Sequence, residues 1–196
     1  MKDLFGTPAL PGLRSQSDVV TEAEEAALID AIDAAGLSPF RFQGWEGKRL
    51  TTSFGLGYDF DRMRLEHADP LPPWLLPIRC RAAAFADRPA EDLVQALLIR
   101  YDPGAGIGWH RDRPAFEHVV GISLGAPAIM RFRRRRGDRF ERVNVPLPPR
   151  GAYHLSGESR HVWEHSIAEM DRTRWSITFR SLSERGEAAT RQGKRD

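Results

Sequence analysis

The second half of the chain is a succession of short apolar segments separated by glycine- and proline-containing turns, and this pattern strongly constrains the fold. The segments are rich in β-branched and aromatic residues, which is typical of strands. Turns such as Asp102-Pro103-Gly104 and Arg136-Gly137-Asp138 separate them. Strands that follow one another without intervening helices pair antiparallel, so we predict a sandwich or barrel. The predicted strands cover residues 97–101, 119–124, 128–133, 140–145, 151–155 and 174–181.

The first half contains the predicted helices. Thr21 and Glu24 have the spacing of a capping box, and helical periodicity follows, so we expect a helix over residues 22–35. An alanine-rich segment predicts a second helix over 74–87. We predict one domain over 21–182, with a helical part over about 21–92 and a strand-rich core over about 93–182. Residues 1–20 are predicted to be an irregular lead-in, and 183–196 a disordered, charged tail.

Composition excludes several classes of protein. The chain has 196 residues, of which 41% are apolar, and no window approaches the ~18 consecutive apolar residues of a membrane span. Cys80 is the single cysteine, so no internal disulfide can form, and the first residues lack the pattern of a secretory signal. We therefore expect a cytoplasmic protein that does not interact with membranes, and nothing in the sequence implies a stable protein partner.

A His-x-Asp pair is the first sign of a metal site. In an extended segment, residues two apart lie on the same face, so His110 and Asp112 can bind one ion. Two histidines and one carboxylate with open positions opposite are typical of non-haem Fe(II) oxygenases. The alternative is a salt-bridged histidine in a surface loop. The candidates for the third ligand are His118, His154, His161 and His165.

The last predicted strand separates two kinds of side chain by strict alternation. Its apolar face carries Trp175, Ile177 and Phe179, and its polar face carries Arg174, Ser176, Thr178 and Arg180. If the polar face points into a barrel, the arginines are buried charges that require an anionic partner, and a short dicarboxylate fits. If the strand lies at a sheet edge, the arginines simply face water.

Taken in chain order, these segments resemble the AlkB family of Fe(II)/2-oxoglutarate dioxygenases over about residues 97–181. The resemblance rests on five motifs in the family's order, which are the segment 100–112, Gly121-Ile122-Ser123-Leu124-Gly125, Ser156-Gly157-Glu158-Ser159-Arg160, His165-Ser166-Ile167 and the segment 174–180. It implies a mainly β fold with flanking helices, the double-stranded β-helix or jelly roll. In this reading residues 93–182 are the catalytic jelly-roll core, and the part over about 21–92 is helical and lid-like.

The resemblance also implies cofactors and their ligands. Fe(II) would be held by His110, Asp112 and a distal histidine, which we assign to His165, with His161 and His154 as rivals. The cosubstrate 2-oxoglutarate would be bound by Tyr101, Arg174, Ser176 and Arg180, and O2 would be the second substrate. Ile99 stands where the best-known bacterial member has an asparagine, so one expected contact to 2-oxoglutarate is missing.

The substrate implied by the resemblance is alkylated DNA or RNA, which the enzyme would demethylate oxidatively. Phe54 and Tyr58 lie in the lid-like segment and are candidates for stacking on a flipped base. Arg133, Arg134 and Arg135 belong to an arginine cluster at a predicted hairpin and are candidates for phosphate contacts.

Other functions remain open at this stage. Repair enzymes of the family carry an acidic residue where this chain has Pro114, and Glu117 is the candidate replacement. The same iron centre could instead hydroxylate a protein or a small molecule. A function of another class is a non-catalytic jelly-roll module that binds nucleic acid, with structural histidines. The arginine cluster could equally be a solvated hairpin balanced by Asp138 and Glu141.

Overall fold

The computed structural model describes residues 10–42, 44–59 and 64–192. Its strands, in chain order, are β1 (Leu13–Gln16), β2 (Ser38–Phe42), β3 (Trp45–Phe54), β4 (Leu56–Asp59), β5 (Arg64–His67), β6 (Leu93–Tyr101), β7 (Ile107–His110), β8 (Phe116–Gly125), β9 (Ala128–Arg136), β10 (Arg139–Leu147), β11 (Ala152–Leu155), β12 (Glu164–Ile167) and β13 (Arg174–Leu182). Its helices are α1 (Glu22–Asp33), α2 (Leu76–Phe85), α3 (Gly157–His161) and α4 (Glu184–Gln192). Every strand predicted from the sequence is present, most of them longer than predicted.

Two antiparallel sheets form the body of the fold. The larger sheet has the order β1-β11-β8-β13-β6-β3-β2, and the smaller one has the order β10-β9-β12-β7. Strand β13 lies in the middle of the larger sheet, where Thr178 is paired with Gly121 on one side and with Leu97 on the other. The arginine strand is therefore central, and the edge-strand alternative is wrong.

The alternation along β13 separates two cores. Ile177 and Phe179 face the side of the larger sheet on which α1 and α2 pack, and both are fully buried. The opposite face of this sheet turns toward the smaller sheet, and a second core fills part of the space between them. Apolar residues of both sheets meet there, among them Ile99, Tyr101, Val119, Leu155, Met130, Phe132, Val145 and Ile167.

Helix α1 begins where the sequence predicts. The Thr21 hydroxyl accepts a hydrogen bond from the Glu24 amide at 3.2 Å, and the Glu24 carboxylate accepts one from the Thr21 amide at 2.8 Å. Leu28 and Ile32 then lie one turn apart on the buried face. Among the described residues, no helix has the length and apolar composition needed to cross a membrane.

The two chain ends differ from the prediction. The expected irregular lead-in contains β1, which extends the larger sheet by pairing Leu13 with Leu155. The expected disordered tail forms α4, which is held to the loop after Asp112 because the Ser183 hydroxyl donates to the Pro114 carbonyl at 2.7 Å. Both errors have one cause, since the stabilising contacts come from distant segments that local composition does not reveal. Residues 1–9 and 193–196 lie outside the described residues.

Candidate active site

A cavity of about 1260 Å³ opens between the two sheets and extends toward β2, β3 and β4. Its walls bring together residues from segments far apart in the sequence. Tyr101 and Arg180 come from the larger sheet, His110 and His165 come from the smaller sheet, and Asp112 lies just beyond β7. The cavity therefore contains most of the residues that the sequence analysis assigns to iron and cosubstrate.

Strand pairing brings the two histidines together. His110 of β7 and His165 of β12 are directly opposite each other in the smaller sheet, and their ring centroids are 4.3 Å apart. The Nε2 atom of His165 lies 3.6 Å from Oδ2 of Asp112. Within residues 10–42, 44–59 and 64–192, no three His, Cys, Asp or Glu side chains stand in the geometry of a formed metal site. The three side chains are thus neighbours without a closed coordination geometry.

Hydrogen bonding and burial prepare these side chains as ligands. Nδ1 of His110 is 2.9 Å from the Gly108 carbonyl, to which a protonated Nδ1 donates, so the Nε2 lone pair is left available. Burial lowers the pKa of His165 to about 3 and also lowers the pKa of His110, so both rings are neutral near pH 7. Burial alone would raise the pKa of Asp112, but the charge of Arg180 and the nearby histidines outweigh this and hold that pKa below its usual range.

Arg180 fixes the aspartate. Its Nε and Nη2 atoms donate to Oδ1 of Asp112 at 3.1 and 2.8 Å, which leaves Oδ2 on the side of His165. Its Nη1 atom donates to the Gln95 side-chain oxygen at 2.9 Å, and the Gln95 amide donates to the Leu56 carbonyl at 2.8 Å. This chain of hydrogen bonds joins β13, β6 and β4 to the loop that carries Asp112.

Arg174 lies behind the cavity wall and is buried. Its Nε atom donates to the Ser123 hydroxyl at 3.1 Å, and its Cζ lies 5.3 Å from the centre of the Tyr101 ring. Its Nη2 atom is buried without a hydrogen-bond partner among the described residues. A buried guanidinium with an unsatisfied donor is costly unless an anion completes it. Ser176 is also buried and shares this inward-facing side of β13.

Several cavity residues were not predicted from the sequence, and Arg49 and Tyr153 are two of them. Arg49 of β3 lines the cavity with its Cζ 3.8 Å from the centre of the Phe40 ring, and burial lowers its pKa. Tyr153 of β11 lies opposite Gly121, where an added Cβ would come within 2.1 Å of its ring, so only glycine leaves room for the tyrosine. Burial raises the pKa of Tyr153, so its phenol is a neutral donor. The alternation of polar residues over Arg49, Thr51 and Ser53 was the available signal for the first of these.

The two lid residues proposed for stacking have different environments. Tyr58 lines the cavity, and Cζ of Arg113 lies 4.7 Å from the centre of its ring. Phe54 packs against the core on the helical side of the larger sheet and does not contribute to the cavity wall. The assignment of Phe54 to substrate stacking was wrong, because Arg49, Thr51 and Ser53 face the cavity and strand alternation turns Phe54 away.

The rival histidines have other partners, although His161 also lines the cavity. Nε2 of His161 is 2.9 Å from the Glu117 carboxylate, and Nε2 of His154 is 3.0 Å from Nδ1 of His118. His154 lies beside Phe85 of α2, on the opposite face of the larger sheet from the cavity. Pro114 lines the cavity, whereas Glu117 does not, so Glu117 does not supply the acidic group missing at that position.

Strands β9 and β10 form a hairpin that carries several arginines, and alternate side chains along β9 lie on opposite faces of it. Arg133 lies on the outer face of the smaller sheet and forms an ion pair with Glu164 at 2.6 Å. Arg135 projects from the same face, and its Nε atom donates to the Gly137 carbonyl at 3.1 Å. Arg134 points to the other face, where it pairs with Glu158 and Glu141 and lies 4.6 Å from the ring of Trp163. Arg134 is thus committed to ion pairs within the fold, contrary to its assignment as a phosphate contact.

The His154 environment predicts a loss of stability in mild acid. Burial lowers the pKa of His154 to about 4 in the folded chain, whereas an unfolded histidine titrates near 6.5. Between these values only the unfolded chain takes up the proton, so the free energy of unfolding should fall as the pH falls from about 6.5 to about 4. In urea unfolding over the same pH range, the free energy of unfolding of His154→Leu should fall by less than that of the unchanged protein, and the difference should be about 2 kcal/mol.

The exposed histidine of β5 provides the control for this prediction. His67→Leu should retain the full pH dependence of the unchanged protein. Since His165 titrates in all three proteins, the comparison isolates the contribution of His154. An identical pH dependence in His154→Leu and His67→Leu would contradict the prediction.

A two-sheet barrel whose cavity contains two neutral histidines, an aspartate and buried arginines has the features of a non-haem iron oxygenase. The model of the 2OG-Fe(II) oxygenase superfamily matches residues 33–187. The chain therefore belongs to the 2OG-Fe(II) oxygenase superfamily. Fe(II), 2-oxoglutarate and O2 are the cofactor and substrates that this family implies.

Individual relatives refine this placement to an AlkB-like protein. The chain is 31% identical over 173 residues to tRNA (carboxymethyluridine(34)-5-O)-methyltransferase alkbh8 of Xenopus tropicalis. The matched region covers 85% of this chain and 27% of that protein. It is 30% identical over 200 residues to the alkylated DNA repair protein ALKBH8 homolog of Arabidopsis thaliana, covering 88% of this chain and 56% of that protein. The chain thus spans about a quarter to about half of the length of these relatives.

Comparison with solved structures confirms the predicted jelly roll. The structure of OsALKBH1 superposes with a TM-score of 0.68 at 16% sequence identity, covering 89% of this chain and 99% of that one. At this identity the likeness concerns the fold alone. Together with the family match, it confirms an AlkB-like dioxygenase fold.

Proposed function

We propose that this protein oxidatively demethylates alkylated bases in DNA or RNA, with Fe(II) held by His110, Asp112 and His165. The observation that carries the proposal is the meeting of two neutral imidazoles and one carboxylate in a cavity backed by a buried arginine whose Nη2 atom has no acceptor among the described residues. The names of two relatives, one for tRNA and one for alkylated DNA, support nucleic acid as the substrate class.

The donor set fits Fe(II). Two imidazole nitrogens and one carboxylate oxygen on the same side of a cavity are the protein ligands of non-haem Fe(II) oxygenases, and they leave positions for other ligands. Arg180 keeps Asp112 ionised and orients it, while Gly108 selects the tautomer of His110. When bound, Fe(II) and 2-oxoglutarate supply the oxidation by O2 that hydroxylates an N-methyl group, with succinate and CO2 as co-products and formaldehyde released from the hydroxylated base.

The cosubstrate pocket is assigned to Tyr101, Arg174, Ser176 and Arg180. Arg174 is the partner for the distal carboxylate, because its Nη2 atom lacks an acceptor within the described part of the chain and the Tyr101 ring lies directly beside it. Arg180 lies next to Asp112 and so would orient the end of the cosubstrate nearest the metal. The missing asparagine at Ile99 leaves these side chains and the neutral phenol of Tyr153 as the available polar contacts.

The rim of the cavity supports a base as the group presented to the iron. Tyr58 and Trp109 both line it, and each ring has an arginine within 5 Å of its centre, namely Arg113 at 4.7 Å and Arg133 at 4.4 Å. Aromatic rings flanked by guanidinium groups offer stacking surfaces and phosphate contacts to an extruded nucleotide.

The test is turnover on a panel of oligonucleotides, DNA and RNA, that each carry one methylated base, with Fe(II) and 2-oxoglutarate added. We expect formaldehyde and succinate in equal amounts from at least one methylated base, and none from the unmethylated strand. His165→Ala should produce neither product, whereas His161→Ala should retain activity, because His161 pairs with Glu117 outside the donor set. Succinate formation stimulated by a peptide or small molecule, with no formaldehyde from any oligonucleotide, would favour the alternative substrates.

A further inference from the structure

The outer face of the smaller sheet carries a row of arginine and aromatic side chains. Phe132 and Val143 pack into the core between the sheets, and they are paired across β9 and β10. By alternation, Arg131 and Arg133 and their cross-strand neighbours on β10 project from the other side. The register pairs Arg133 with Arg142, and Phe140 with Arg135. These residues form a surface on the outer side of the smaller sheet, and this surface meets the catalytic cavity at Trp109.

The side chains on this face alternate in type. The Trp109 ring lies between Arg131 and Arg133, whose Cζ atoms are 5.3 and 4.4 Å from its centre. The Cζ atoms of Arg133 and Arg142 lie 4.7 and 5.5 Å from the centre of the Phe140 ring. The result is a continuous row from β7 to β10, which we call the arginine–aromatic row and define as Arg131, Trp109, Arg133, Phe140 and Arg142. Three strand spacings of about 4.8 Å give it a width of about 14 Å.

The positive charge of this face is largely uncompensated. Glu164 neutralises Arg133, but within the described residues the hydrogen bonds of its neighbours go to neutral oxygens: Ser166 Oγ for Arg131, the Gly137 carbonyl for Arg135 and the Phe140 carbonyl for Arg142. The opposite face of the hairpin differs, since Arg134 and Arg136 both pair with Glu141. Guanidinium groups that lack carboxylate partners are available to an anionic ligand.

The row also leads to the catalytic cavity. Trp109 belongs both to the row and to the cavity wall, and Glu164, the partner of Arg133, lines the cavity as well. A polymer that crosses the row therefore reaches the cavity without leaving the protein surface. Phosphates can pair with the arginines, and unstacked bases can lie on the planar guanidinium and aromatic groups, which a duplex does not expose.

We infer that the arginine–aromatic row binds the single-stranded nucleic acid adjoining the nucleotide held in the cavity. This inference rests on the proposed function and adds to it the path of the strand. It concerns the outer face of the hairpin only, because Arg134 and Arg136 on the inner face are held by carboxylates. Binding is expected to be independent of base sequence, since stacking and phosphate contacts do not read base edges.

Two double variants of the same hairpin test the inference. Arg131→Gln with Arg142→Gln removes two positive charges from the row on the outer face, and Arg136→Gln with Arg139→Gln removes two from the inner face, at the positions paired across the turn. With a fluorescein-labelled 12-nucleotide oligouridylate, we expect the outer double variant to bind at least about tenfold more weakly, and the slope of log affinity against log salt to fall by roughly 1 to 2. The inner double variant should stay within about twofold of the unchanged protein.

A third variant separates stacking from charge. Phe140→Leu keeps an apolar side chain of similar size but removes the aromatic ring beside Arg133 and Arg142. We expect weaker binding with an unchanged salt slope, because no phosphate contact is lost. Circular dichroism and thermal unfolding establish that each variant is folded.

Several results of these binding measurements would contradict the inference. Equal weakening of oligouridylate binding in both double variants would show that net charge alone matters, and this would overturn the inference. Unchanged binding by the outer double variant would also overturn it. The same holds if the unchanged protein does not bind oligouridylate at low salt. Preference for a duplex over the single strand would overturn it too. Failure of the proposed function has a different signature, which is the absence of formaldehyde from every methylated oligonucleotide with the unchanged enzyme, whatever its affinity for oligouridylate.

Discussion

Replacing Asp112 by asparagine is expected to abolish Fe(II)-dependent conversion of 2-oxoglutarate to succinate, with a loss of more than about a hundredfold. Even changes to groups behind a metal ligand cost about 10- to 100-fold in affinity or activity, so loss of a ligand should cost more. The amide keeps the size of the side chain but removes the charge that Arg180 contacts at 2.8 Å. Succinate formation under saturating Fe(II) and 2-oxoglutarate is the measurement.

The substitution should also lower stability, because it leaves Arg180 without its anionic partner. Breaking a buried ion pair from one side costs about 3–5 kcal/mol. His165→Gln therefore serves as the second variant, since it removes a proposed ligand and leaves the Arg180 to Asp112 contacts intact. It should be as inactive as Asp112→Asn but closer to the unchanged protein in thermal unfolding.

A matched control uses a carboxylate that lies outside the cavity wall and contacts His161. Glu117→Gln is the same acid-to-amide change, made on a side chain whose partner is His161. Its succinate formation should stay within about twofold of the unchanged protein, because neither residue belongs to the proposed ligand set. Activity of Asp112→Asn close to that of Glu117→Gln would place the iron elsewhere.

Replacing Arg174 by methionine is expected to raise the KM for 2-oxoglutarate by more than about a hundredfold without destabilising the unliganded protein. The guanidinium is buried, and no described residue accepts a hydrogen bond from its Nη2 atom, so its charge is poorly compensated until an anion binds. Truncating a buried, charge-assisted contact to a ligand costs about 2–5 kcal/mol, and each 1.4 kcal/mol is a factor of ten. Methionine occupies a similar volume without requiring an acceptor.

Thermal unfolding with and without 2-oxoglutarate separates the two effects. The unchanged protein should gain stability from the ligand, because binding to the folded state shifts its midpoint upward. Arg174→Met should have an unliganded midpoint at least as high but should gain nothing at the same ligand concentration. Arg135→Met, a surface change in the hairpin, should behave as the unchanged protein. A normal ligand-induced shift in Arg174→Met would refute the assignment of Arg174 to the cosubstrate.

The local features of the site were predictable from the sequence. The two-residue period of β13 places Arg174, Ser176, Thr178 and Arg180 on one face, and the His-x-Asp spacing puts two potential ligands beside each other. The capping box of α1 and the positions of the strands after Leu93 were predictable for the same reason. In each case the geometry of the backbone, acting over a few residues, is sufficient.

The tertiary structure decided the questions that depend on distant pairing. It brings His165 opposite His110, although 55 positions separate them in the numbering, because β12 pairs with β7. It decides which face of β3 lines the cavity, which leaves Phe54 outside, and it places Glu158 beside Arg134. It also adds β1 to the larger sheet and orders α4. An amino-acid sequence determines which residues share a face of a strand, but which strand lies opposite depends on contacts between segments far apart in the chain, and only the folded structure contains them.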